Sequence, residues 1–271
     1  MSRDFYYDDI KIIKKPLKEQ AKSVLKIFLI FLFLAGIVVS SLYISKALTD
    51  SNLSSVFVYG GRDIKIDSRD MYAITLGKYS TKQEADRVAL GATIQGAGGY
   101  VWQDKGDYYV IGNIYNNNDS ALSVKDNLKD TNYSVDILKI SMPKIKLNFD
   151  EMENKSMAEV RNAINYFYDC YDKLYNYCML FDKSEMNNFA ISSYISQMRG
   201  DVKVCISVMQ GLINSTNYGE LQEVQSGLIK LDELLDQAII KTIDNSSTSS
   251  YLKYAICLCV DIEHKMRQNL V

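Results

Sequence analysis

Histidine and tryptophan occur once each in this chain, as His264 and Trp102, and proline occurs only twice in 271 residues. One histidine leaves no nucleophile–base pairing to read. No Walker loop, no G-x-G-x-x-G fingerprint and no carboxylate pair in an evident cleft takes its place. These absences argue against an enzyme and give no cofactor or metal to expect. So few prolines, with 47% apolar residues, exclude a chain disordered throughout. An excess of basic residues is also missing. The net charge is −2, which offers no footprint for nucleic acid.

What is present is segmental. Residues 1–26 carry seven Lys/Arg against four Asp/Glu, and residues 151–271 carry eleven against sixteen. Between Lys26 and Lys46 there is no charge at all. That run, IFLIFLFLAGIVVSSLYIS, opens at Ile27, ends at Ser45 and would make a helix of about 28 Å, close to bilayer thickness. It reads as a transmembrane helix. The lysines before it keep the N-terminus cytoplasmic and place all later residues outside the cell membrane. Two other readings exist: a signal peptide cut near Ser45-Lys46-Ala47, for which the run is long, and a core helix, for which it lacks a polar face. Residues 46–70 then read as a spacer.

Residues 72–90, YAITLGKYSTKQEADRVAL, have an echo 36 positions on, which aligns Tyr72 with Tyr108, Tyr79 with Tyr115, Ala85 with Ala121 and Val88 with Val124. Each copy reads as strand, turn and helix. Ile74 and Leu76 share one strand face, and Ala85, Val88, Ala89 and Ala92 recur at helical spacing to cover it. Ala73 and Thr75 then point the other way. The same parity buries Val110 and turns Tyr109 and Ile111 outward.

The pattern of Ile74, Leu76, Gly77, Tyr79 and Ala85 resembles the opening of SPOR domains, the sporulation-related repeat. The resemblance continues through GAGGYVWQDKGDYYVIG at residues 96–112, through Tyr115 and Ala121, and through YSVDILKI at residues 133–140. It implies a βαββαβ module, a four-stranded antiparallel sheet with two helices on one face, over residues 71–141. It also implies peptidoglycan binding, with denuded glycan strands lying on the open sheet face. Sugar rings present apolar C–H faces that suit aromatic side chains. Candidate glycan contacts are therefore Tyr100, Trp102 and Tyr109, with Thr75 and Ile111 on the same face.

Pro143 stops the last strand, and residues 142–155 read as a linker. From residue 156 onward the period changes to steps of three and four. Met157, Val160, Ile164, Phe167, Tyr171, Leu174 and Cys178 begin the first of four such stripes, which predict an all-α four-helix bundle over residues 156–271. Tyr166, Tyr168, Tyr171, Tyr175 and Tyr177 exceed what one stripe buries, and point to an interface with a partner or a second copy. All five cysteines lie in the bundle. Their odd number and core positions predict mostly free thiols, and the opposed directions of Cys257 and Cys259 on a helix argue against a metal site with His264.

The fold expectation is thus a transmembrane helix, an α+β SPOR-like module and an all-α bundle. The function expectation is an adaptor in cell division or sporulation that holds wall glycan through its sheet and partners through its helices. The rival is an envelope receptor or assembly component in which the bundle carries the function and the module is a spacer or platform.

Overall fold

The computed structural model describes residues 63–243 and 247–271. The expected transmembrane helix, the cytoplasmic tail and most of the spacer lie outside these residues. Among the described residues no helix is long and apolar enough to cross a membrane.

The module starts from two strands of the repeat. β2 (Arg69–Tyr79) and β4 (Asp107–Tyr115) pair antiparallel, so that Tyr72 faces Tyr115 and Tyr79 faces Tyr108. Each strand feeds a helix, α1 (Lys82–Ile94) and α2 (Asn118–Asn127). Both helices start on a side-chain cap. The Thr81 hydroxyl accepts from the Glu84 N–H, and Asn117 Oδ1 accepts from the Ser120 N–H. β3 (Tyr100–Asp104) and β5 (Asp136–Met142) complete an antiparallel sheet in the order β3-β4-β2-β5. Ile74, Leu76 and Val110 pack beneath Ala85, Ala89, Ala92 and Ala121, as the strand parity predicts, and Tyr115 joins them on the same face after the register shift in β4. Alanines on that helical face let α1 lie close to the strands.

Two stretches expected as linkers are ordered elements. β1 (Asp63–Ile66) pairs antiparallel with β6 (Ile145–Asn148) in a separate two-stranded sheet. Its alternation buries Ile64, Ile66, Ile145 and Leu147, followed by Phe149 and Met152. The spacer and linker assignments at residues 63–70 and 142–155 are therefore corrected. Their period-two pattern is only four residues long in each strand, too short to stand out without its partner.

Four long helices follow: α3 (Asn154–Asp182), α4 (Asn188–Ser215), α5 (Gly219–Ile243) and α6 (Thr248–Asn269). The stripes read from the sequence are the buried ones, including Val160, Ile164, Phe167, Ile195, Val202, Leu228, Leu231 and Leu235. α4 begins at the Asn187 cap, where Asn187 Oδ1 takes the Ala190 N–H at 2.9 Å.

The described residues make one compact unit, and its main apolar cluster runs without a break from the sheet into the bundle. The cause is α6. One side, with Leu252, Ala255, Cys259, Ile262 and Met266, follows the expected stripe. Cys257, Val260, Asp261, Glu263 and Arg267 are buried as well. A helix buried on most of its circumference lies between two layers, here the sheet and the other helices.

Candidate functional site

The sheet face that the sequence predicts as open is the seat of α6 and of part of α3. Trp102 is 5% exposed, Tyr100 9%, Thr75 4% and Ile111 fully buried. Tyr109 is half-buried at the margin of the same cluster. The strand parity of all five is therefore as read from the sequence, and four of them are brought together under the bundle. What the sequence reading lacked was their cover. The expectation of an open aromatic platform is corrected for Thr75, Tyr100, Trp102 and Ile111.

The contacts across this seam are specific. The Tyr100 hydroxyl donates to Asp261 Oδ2 at 2.6 Å, and Lys265 Nζ donates to the same oxygen at 2.6 Å. Burial, then the adjacent Asp261 carboxylate, drive the Tyr100 phenol far above its ordinary pKa, so it acts as a permanent donor. The Tyr100 ring meets Tyr254 edge-on at 5.4 Å, and Trp102 lies 5.5 Å from the His264 ring. Burial lowers the pKa of His264, against the raising effects of Asp261 and Asp104. The imidazole is thus neutral at pH 7 beside the indole. Thr75 turns its hydroxyl to the Asp136 carbonyl at 3.2 Å, where no ligand reaches it.

A buried ionic group closes one end of the seam. Arg69 of β2 pairs with Glu263 of α6 and lies 4.2 Å from the Tyr168 ring centroid. Arg267 Nε donates to Glu263 at 2.9 Å, and its Nη1 donates to the carbonyls of Asp67 at 2.9 Å and Pro143 at 3.2 Å. Burial raises the Glu263 carboxyl, against the lowering pull of the two guanidinium groups. Taking away one partner would leave a buried charge uncompensated. At the other end Ser250 Oγ donates to the Thr93 carbonyl at 2.8 Å, and Lys253 Nζ donates to the Gly96 carbonyl at 3.0 Å.

The crowded tyrosines of α3 divide between two neighbours within the chain. Tyr168 and Tyr171 stack at 6.0 Å, Tyr171 donates to the Ile114 carbonyl at 3.4 Å, and Tyr175 meets Tyr115 edge-on at 6.0 Å. These three face the module. Tyr166 donates to the Met198 carbonyl at 3.2 Å, and Tyr177 stacks on Tyr194 at 5.3 Å, so these two face α4. The five tyrosines therefore pack on the chain's own sheet and its own α4, where the sequence reading expected a partner or a second copy.

The five cysteines are free. Among the described residues no three His, Cys, Asp or Glu side chains are grouped to hold a metal ion.

Comparison with known proteins adds one likeness. No profile of a known family matches the chain, and no curated protein matches it. Among solved structures it is similar to the peptidoglycan-binding domain of the cell wall lytic enzyme CwlC of B. subtilis, determined in solution. Identity is 21%, the match covers 28% of this chain and 95% of that one, and the TM-score is 0.25.

Proposed function

We propose that the chain is a non-catalytic, membrane-anchored component of a bacterial cell envelope, in which the SPOR-like sheet is the platform of the helical bundle and the outer helical faces bind protein partners. The observation that carries this reading is the burial of Tyr100, Trp102 and Ile111 beneath α6. A surface already buried, with Tyr100 bonded to Asp261, cannot also receive a glycan strand. The apolar residues left outside support a partner surface on the helices. Phe189, Ile240 and Ile243 are 84%, 60% and 71% exposed at one end of the bundle, where Asn188 Nδ2 donates to the Thr242 carbonyl at 2.7 Å.

A second reading keeps the sheet as a peptidoglycan contact, with the protein acting as a septal adaptor in division or sporulation. It is favoured by Tyr109, which remains half-buried at the sheet margin with the exposed Lys78 ammonium 5.6 Å from its ring centroid. An aromatic ring beside a cation is a workable sugar contact.

Sedimentation of the full-length chain with amidase-treated and with intact sacculi separates the two. The platform reading predicts no preference for denuded glycan. A preference abolished by Tyr109→Ala would overturn it in favour of the second reading.

A further inference from the structure

The module has a second concave surface, on the side away from the bundle core. Between α1 and α2 the sheet is left partly uncovered, forming a cleft of about 320 Å³. Its floor is Ile74, Leu76 and Gly112, and Ala92, Val124 and Leu128 line its walls. Val124 and Leu128 are half-buried, so the space opens to solvent. The volume is at the lower end of the range for small-molecule sites, and the lining is of the usual kind, apolar with few polar groups.

The polar group on the floor is Asn113, which is 8% exposed. Its position comes from an irregular register. Ile74 pairs with Asn113 and Thr75 with Ile111, so Gly112 is an extra residue in β4. Such a bulge re-aims the next side chain, and Asn113 comes round to the face that carries Tyr115. The orientation of its carboxamide is fixed, because Oδ1 accepts the Ile114 N–H at 2.9 Å. Nδ2 is then directed toward the Tyr115 hydroxyl at 3.5 Å, too long for a well-formed N–H···O bond. Burial pushes the Tyr115 phenol up to about 12, so this hydroxyl also keeps its proton. Two donors converge on an apolar floor without a good acceptor between them.

The mouth decides the charge of what fits. Lys253 Nζ lies there, already bonded to the Gly96 carbonyl at 3.0 Å, to Ser249 Oγ at 2.9 Å and to Asp182 at 3.0 Å. Its donors are occupied and its charge is balanced by Asp182. The site therefore offers no free cation to an acid.

We propose that this cleft binds a small, neutral, largely apolar molecule whose carbonyl oxygen accepts from Asn113 Nδ2. The apolar body covers Leu76 and Leu128, and the carbonyl completes the hydrogen bonding of the carboxamide. The site is independent of the sheet face under the bundle and of any wall contact at Tyr109.

The test uses the full-length chain in nanodiscs with labelled Leu and Val methyl groups. Acetanilide, a neutral ring with one amide carbonyl, is titrated in, and sodium benzoate serves as an anion of similar size. Acetanilide is expected to move the methyl signals of Leu76, Val124 and Leu128 saturably at millimolar concentration, and benzoate to leave them in place. Asn113→Leu should weaken acetanilide at least fivefold, and Ala97→Phe, which fills the cleft, should abolish binding. Gly112→Ala is the milder filling variant. Its Cβ meets Leu76 at 3.6 Å, an ordinary contact, so the fold is retained. The proposal is overturned if no saturable shift occurs, if benzoate competes equally, if Asn113→Leu binds as well as the parent, or if binding survives both filling variants.

Discussion

Gly98→Ala is the sharpest perturbation of the seam between sheet and bundle. A Cβ built on Gly98 lies 3.0 Å from three backbone atoms: the Gly112 carbonyl oxygen, the Lys253 carbonyl carbon and the Tyr254 nitrogen. None is the movable end of a side chain. Gly98 is buried, and its N–H already donates to the Gly112 carbonyl at 2.8 Å. Relief requires α6 to withdraw by a few tenths of an ångström, which stretches the Ser250 bond to Thr93 and the Tyr100 bond to Asp261. Overpacking of this kind costs about 1–3 kcal/mol. Urea unfolding followed by far-UV circular dichroism reads the loss as a lower midpoint. Gly91→Ala is the control, because nothing lies within 4 Å of its Cβ on α1. Removing that helical glycine should stabilise the chain by about 0.5–1 kcal/mol. A Gly98→Ala stability within about 0.5 kcal/mol of the parent would refute the close approach of α6 to the sheet.

Three further outcomes follow from the same seam. Tyr100→Phe deprives the buried Asp261 carboxylate of one donor and should cost about 1–2 kcal/mol, less than a full charge-assisted bond because Lys265 remains. In a double-mutant cycle with Asp261→Asn most of that cost should vanish. His264 has its pKa lowered by burial, so the unfolded chain binds its proton more readily. Stability should be full above the ordinary histidine pKa of 6.5, fall as pH drops below it toward the lowered value, and lose that segment of slope in His264→Gln. Cys170, Cys178, Cys257 and Cys259 are buried, and burial raises their thiol pKa values, Cys178 to about 12. Ellman's reagent at neutral pH should leave these four unlabelled in the native chain and titrate five thiols in denaturant.

Much of this architecture was legible in the residues themselves. Ile74, Leu76 and Val110 against Ala85 and Ala92 gave the sheet–helix layer, because a period of two facing a period of three to four leaves few alternatives. The stripes of α3 to α6 were equally plain. The strand parity of Thr75, Tyr100, Trp102, Tyr109 and Ile111 was also readable, but what lies over that face was not. Its cover is held by Tyr100–Asp261, Arg69–Glu263 and Arg267 with the Asp67 carbonyl, pairs separated by 161, 194 and 200 positions. Buried polar residues carry no periodic signal, so nothing in the sequence marks Asp261, Glu263 and Arg267 as buried. One sign was available. Residues 255–260, AICLCV, contain no polar side chain, and a helix apolar all round has no free side. The tyrosines of α3 held the same message, since Tyr168, Tyr171 and Tyr175 needed a second surface and found it in the module.

Acrylamide quenching of the native full-length chain tests the central claim most directly. Trp102 is the chain's single tryptophan and lies in the seam, beside His264 and Tyr100. A covered sheet face predicts a blue-shifted emission and weak quenching, both unchanged by added glycan strands. Emission and quenching like those of free tryptophan would mean that the face is open and that the bundle does not rest on it.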